Sequence, residues 1–234
     1  MTVLSAAQSA GIRLLGVKPT TLFSTSDAFA MELADLATEV ATDIAEQYDW
    51  RQLHELAQFT GDGAAIAFNL PSNYDRMLKK AEVHSKDWQT SNFRRVRDLD
   101  EWIYIQQTAI SGTPGNWIIL GGKFQSFPPL PIAEMAKFYY IRKAIVTGTG
   151  TGGASKPAFT DDSDTFDLSE RLLTLGLIWR WRSQKRMEYA EDLKNYELAL
   201  EKAIAKDKGS NILTVGTQRV PSSSTLAYPG VLVR

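Results

Sequence analysis

The chain contains no cysteine and only two histidines, His54 and His84. Without thiols there is no disulfide, no thiolate zinc site and no cysteine nucleophile, and two imidazoles offer little to a metal centre. No stretch approaches the roughly 18 consecutive apolar residues that a membrane span needs, and the N-terminus lacks the basic start and apolar run of a signal peptide. The expectation is a protein made in the cytoplasm, with no membrane partner. Charge of one sign is also missing: 26 Lys and Arg against 27 Asp and Glu leave a net charge of −1, which removes bulk cationic attraction to nucleic acid. What is present is ordinary for a globular protein, 234 residues with 44% hydrophobic and 23% charged side chains, enough to bury a core in one domain or two small ones.

Apolar periodicity predicts a helix over residues 3–15, with Val3, Leu4, Ala7, Ile12 and Leu15 on one face and Gly16 and Pro19 stopping it. Ser24 with Asp27 resembles a capping box, and Phe29, Leu33, Leu36, Val40 and Ile44 then recur at threes and fours, predicting a second helix over 27–56. From Gly61 the pattern changes to strands: Ile66, Phe68 and Leu70 alternate up to Pro71. A short helix is expected from Asp98 to Gln107. Trp117 to Leu120 and Lys123 to Phe127, separated by Gly121-Gly122, read as a hairpin closed by Pro128, Pro129 and Pro131. Lys137 to Val146 is a further strand, with Lys156 to Thr160 returning antiparallel to it across the Gly- and Thr-rich stretch 147–155.

The last regular element is predicted over 169–206, opened by Asp167 and Glu170. Leu172, Leu175, Trp179, Tyr189, Leu193, Tyr196, Leu200 and Ala203 form its seam, which Arg182 and Arg186 interrupt. Unbroken, such a helix would be roughly 57 Å long, against a diameter of about 45 Å for a compact globule of this size. It must therefore bend, near Gly176 or around Ser183, or project and find a partner. Residues 208–234 carry three positive charges and no acid, and read as an extended tail. The fold class expected is α+β, mainly α: packed long helices with an inserted antiparallel β region over 61–165, together forming one body over 1–207, and the C-terminal tail over 208–234.

Few residues suggest chemistry. His54-Glu55 begins like a zinc hydrolase helix, but Gln58 stands where the second imidazole belongs. His84, beside Glu82 and Asp87, reads as a surface residue. Asp161, Asp162, Asp164 and Asp167 lack the spacing of a calcium loop and are better placed to meet the positive end of the following helix. Gly148, Gly150, Gly152 and Gly153 lack the Gly-Lys-Ser/Thr ending of a phosphate loop. No catalytic, cofactor or metal residue is expected. The stretch Trp179-Arg180-Trp181-Arg182 with Lys185 and Arg186 combines cations and indoles, a mixture able to bind nucleic acid. On a helix, however, the indoles can pack inward while the cations face acidic neighbours, and that structural reading comes first; contact with a partner subunit or with DNA is the alternative.

Several fragments stand in a collinear order. Leu15-Gly16 and Pro19 precede a helix ending in Tyr48-Asp49-Trp50-Arg51-Gln52-Leu53, and Leu70-Pro71-Ser72-Asn73-Tyr74-Asp75-Arg76 closes a strand. Trp117-Ile118-Ile119 leads to Gly121-Gly122, Phe127-Pro128 and Tyr139-Tyr140. Phe159, Asp164-Thr165-Phe166, Leu172-Leu173, Gly176, Trp179 to Arg182, Tyr189-Ala190 and Tyr196-Glu197 complete the set. In this order, over about residues 10–200, the chain resembles the head-to-tail adaptor, or connector, proteins of tailed bacteriophages, of the tail accessory factor and tail tubular protein A type.

The resemblance implies a virion structural protein without enzymatic activity, a homo-oligomeric ring of twelve copies. It implies a ring seated on the portal protein, joined to the next neck or tail protein, and forming part of a channel through which genomic DNA passes without sequence-specific binding. Assembly would take place in the host cytoplasm. The tail is then expected to bind the portal through Arg219, Leu226, Tyr228, Val231, Leu232 and Arg234. Arg180, Arg182, Lys185 and Arg186 are expected at the contact between subunits. The alternative is a nucleic-acid-binding protein that uses the helix from Trp179 to Arg186.

Overall fold

The structure is a computed structural model that describes residues 2–78, 81–85, 93–108, 115–149 and 153–208. In chain order its elements begin with α1 (Val3–Leu15), α2 (Ala28–Gln47), a 3-10 turn (Arg51–Leu53), β1 (His54–Thr60), β2 (Ala67–Asn69) and β3 (Tyr74–Met77). β4 (His84–Ser85), β5 (Arg94–Arg95), α3 (Leu99–Thr108), β6 (Asn116–Leu120), β7 (Lys123–Phe127) and β8 (Met135–Arg142) follow. The chain continues with β9 (Val146–Thr147), β10 (Ser155–Lys156), β11 (Thr165–Phe166), α4 (Glu170–Gln184) and α5 (Ala190–Lys208). The described residues divide into two compact units, one within 1–54 and 141–208, the other within 55–140.

The first unit is helical, with α4 packed against α1, α2 and α5. Leu172, Leu173, Leu177, Ile178 and Trp181 of α4 are buried, facing a row from α2 that includes Leu33, Leu36, Val40 and Ile44. The helices approach closely at Gly176, where an added Cβ would lie 2.3 Å from Val40 Cγ1. A small sheet of order β10-β9-β11 belongs to the same unit. The acids expected to serve the following helix build this loop region instead, because closer amides and cations claim them. Asp162 accepts from the amides of Leu22 and Phe23 at 2.7 and 3.3 Å. Asp164, fully buried, accepts from Lys156 Nζ at 2.8 Å and from the amides of Thr160 and Asp161. Asp167 pairs with Arg142 at 2.8 Å and accepts from Thr147 Oγ1, so α4 starts at Ser169 without a side-chain cap.

The second unit is a β-sandwich. One sheet has the order β1-β8-β3 with β4 also on β8, the other β2-β7-β6-β5. Between them lies an aromatic core, with Phe59 stacked on Phe124 at 5.0 Å and Phe138 and Trp117 packed around Phe124 at 5.7 and 6.0 Å. Gly121 and Gly122, at φ of 58° and 70°, turn β6 into β7 in the conformation that a two-residue hairpin needs.

The expectation of a mainly α protein with long helices is overturned. Among the described residues 42% are helical and 24% are in strands, arranged in three sheets. Two helices expected to be long are interrupted. The second ends at Gln47, where Tyr48 is extended and the Trp50 indole donates to the Ile44 carbonyl at 2.7 Å, satisfying a terminal acceptor. The residues from His54 on then leave the helix as β1. The C-terminal helix is broken after Gln184. Arg186 takes a left-handed φ of 56°, its amide bonds to Ser183 O at 3.1 Å and that of Met187 to Arg182 O at 3.0 Å. These are the paired bonds of a Schellman termination. Gly176, the other expected bend, sits within α4, where it serves close packing.

Candidate interaction surface

The basic and aromatic stretch at the end of α4 lies against the acidic side of α2 and the start of α5. Successive residues on a helix point about 100° apart, so Trp181 turns inward while its neighbours do not. Trp181 is buried, meets Phe29 edge to face at 5.6 Å, and its Nε1 donates to Glu32 Oε2 at 2.9 Å. Lys185 Nζ donates to the other oxygen of Glu32 at 2.7 Å and stands 5.6 Å from the Trp181 ring centre. The Lys185 hydrogen bond is the main reason that the Glu32 carboxyl lies below its ordinary range; burial opposes it and Trp181 assists.

Arg180 is held by Glu39, through Nε at 3.0 Å and through Nη2, with Asp43 3.7 Å away. The bond to Glu39 raises its pKa above the usual guanidinium value. The same guanidinium covers the Trp179 ring at 5.2 Å, and Trp179 packs on Tyr196 of α5 at 5.9 Å. Burial, aided by Asp43, pushes the Tyr196 hydroxyl up to about 12. Arg182 pairs with Asp192 at the start of α5. Arg186, at the left-handed position between the helices, is exposed and pairs with no carboxylate among the described residues.

Three of the four cations singled out from the sequence are thus brought together with acids of their own unit, and the indoles are taken up by its packing. Glu32, Glu39, Asp43 and Asp192 nearly neutralise the corner, which removes the uncompensated charge that phosphate binding requires. The nucleic-acid reading of Trp179 to Arg186 loses its electrostatic basis there. Sequence reading did not identify these acids. Their signal is the spacing 32, 39 and 43, steps of seven and four that return to one helix face.

The remaining candidates are dispersed. His54 opens β1 and His84 lies in β4, so neither stands on a helix where paired imidazoles would converge. Among the described residues no three His, Asp or Glu side chains gather as a metal site, and no helix is long and apolar enough to cross a membrane. The Gly-rich stretch links β9 to β10, which pair antiparallel, and residues 150–152 lie outside the described residues. Arg219, Leu226, Tyr228, Val231, Leu232 and Arg234 also lie outside them.

Compared with known protein families, residues 1–222 match the family model described as SU10 adaptor protein. No curated protein matches the chain. With nearly all of its length covered, the chain belongs to the SU10 adaptor protein family, a phage head-to-tail adaptor family of structural proteins.

Proposed function

We propose that this adaptor closes into a ring of twelve copies that binds the portal protein above and the next neck or tail protein below, and lines part of the channel through which the genome passes. The observation that carries the reading is the match to an adaptor family over residues 1–222. The outer helix gives it physical support. α5 buries only Tyr196 and Ala199 among its residues and leaves Leu198 substantially exposed, as are Met187 and Tyr189 in the connection from α4. Apolar surface of this kind is covered when copies meet, and a head-to-tail contact repeated around an axis closes a ring.

In this reading Arg186 is the cation of the α4 corner free to meet an acid of the neighbouring copy, while Arg180, Arg182 and Lys185 keep that corner in shape from within. The acid-free tail binds the portal: Leu226, Tyr228, Val231 and Leu232 supply apolar area, and Arg219 and Arg234 select acidic surface. DNA passes without sequence-specific contact.

The test is a chain cut after Lys208, which preserves α5 and the bond from Arg51 Nη2 to the Lys208 carbonyl at 3.0 Å. Native mass spectrometry with purified portal rings should show twelve full-length copies per portal and greatly reduced loading of the truncated chain. Undiminished loading would remove the tail from the interface, and a different copy number would overturn the twelvefold ring.

A further inference from the structure

The helical unit carries two exposed surfaces of opposite charge. We propose that they meet between copies: the outer face of α5 of one copy lies in the groove between α1 and α4 of the next, its glutamates on Arg13 and Arg171. The proposal rests on the ring reading above and deepens it, by naming where on the neighbour the surface of α5 lands.

α1 and α4 pack side by side and leave between them a groove of about 470 Å³. Ser9 and Arg13 of α1 and Glu170, Arg171, Thr174 and Leu175 of α4 line it. Arg13 and Arg171 are exposed and meet no carboxylate among the described residues. The acid of the groove is turned inward: Glu170 Oε1 accepts from Ser5 Oγ at 2.6 Å, and Oε2 is enclosed. The outward charge is therefore positive. Residues 1–26 reinforce it, since they include Arg13 and Lys18 but no acid. Ile12, 54% exposed, and Leu15, 51% exposed, add apolar surface beside Arg13.

The counterpart is α5. With Tyr196 and Ala199 buried, helical geometry turns Glu191, Lys194, Leu198, Glu201 and Ala205 to the opposite side in steps of three and four, and all five are exposed. Leu198, 44% exposed, stands in the middle of this stripe. From residue 187 to 201 five acids stand against one cation, Lys194. Of the five, Asp192 is taken by Arg182, while Glu188, Glu191, Glu197 and Glu201 pair with no cation among the described residues.

An apolar centre rimmed by charge is the composition of a protein contact, and unlike charges across it fix the register. Like faces repel: α5 against α5 brings acid to acid, and groove against groove brings cation to cation. A two-fold pairing through either face is thereby disfavoured, and the head-to-tail contact that repeats from copy to copy is the one left.

The chain has no cysteine, so introduced thiols report this contact alone. Full-length Ser9→Cys and Leu198→Cys chains are mixed with purified portal rings and treated with a short bismaleimide. A cross-linked pair is expected from the mixture and none from either variant alone; the double variant should give a ladder of higher multiples. Adding Arg171→Glu to the double variant should lower cross-linking at least about tenfold. Adding Glu191→Lys and Glu201→Lys to that chain should recover most of the loss, because the reversed charges attract again. Arg171 lies in the first turn of α4, where a glutamate suits the helix, and circular dichroism of the variant checks its folding. Rings that are seen by native mass spectrometry but give no cross-link, or that ignore Arg171→Glu, would overturn this contact and leave the ring standing. So would a cross-link from either single variant alone, which would mean that like faces meet. Chains that stay single even with the portal present would overturn the ring and this contact with it.

Discussion

Gly176 of α4 rests directly on Val40 of α2, with no room for a methyl group between them. The contact sets how closely the two helices approach, and Tyr196 lies 3.5 Å from the same point on the other side. Gly176→Ala should therefore destabilise the chain by about 2 kcal/mol through overpacking, despite the better helix propensity of alanine. Adding Val40→Ala should recover part of the loss. Urea unfolding of the two single variants and the double variant measures the coupling, and strictly additive effects would show that the two residues do not meet.

Asp164 gives the helical unit a dependence on acid. Burial raises its pKa, but the hydrogen bonds from Lys156 and the amides of Thr160 and Asp161 outweigh it and hold the carboxyl below the usual carboxylate range. A carboxylate with a depressed folded pKa stabilises above the unfolded value and loses that contribution as pH falls through the folded one. At pH 7 Asp164→Asn should cost about 2 kcal/mol, because Lys156 is left facing a neutral amide. The difference between variant and parent should shrink as pH drops below about 4, followed by thermal melts across the range.

Arg186 occupies a left-handed conformation usually filled by glycine. Arg186→Gly should gain about 0.5–1 kcal/mol by relieving the backbone, a rise in Tm of a few degrees for a chain of this size. Arg186→Val should move the other way, since a branched Cβ tolerates this region least. The same pair bears on assembly. If Arg186 joins neighbouring copies, the glycine variant will be more stable as a monomer and poorer at ring formation, as sedimentation will show.

The pairing of Arg180 with Glu39 and Asp43 predicts a cost for reversing its charge. Arg180→Glu places three carboxylates together and should lose about 1–2 kcal/mol at low salt. The loss should lessen in 1 M salt, where the Debye length is about 3 Å. Equal losses in both conditions would mean that packing over Trp179, rather than charge, is what the guanidinium supplies.

Local signals were legible where they were strong and mutually consistent. α1 occupies the expected span because its apolar residues recur at helical spacing up to Gly16, and the 116–127 hairpin follows from two apolar runs around Gly121-Gly122. β1 was hidden within the predicted helix 27–56. Leu56, Ala57 and Gln58 are acceptable in a helix, and only packing of Ala57 and Phe59 into the sandwich makes them a strand. The break at Arg186 carried no glycine or proline to mark it; only tertiary packing of α4 against α5 makes a left-handed arginine affordable. For the basic corner, inward indoles and outward cations followed from helical geometry alone. The acids that receive those cations come mainly from α2, far away in sequence, and no local pattern identifies which of the exposed carboxylates they would be.

Glu55 and Tyr140 open and close the sandwich unit, and the tyrosine hydroxyl donates to Glu55 Oε2 at 2.7 Å. The first and last residues of the insertion are thus held side by side by a bond within the unit itself. A lobe closed in this way can be exchanged or lost in one recombination event without rethreading its host. The lineage is thereby free to change what this part of the particle touches while keeping the helical bundle that carries it.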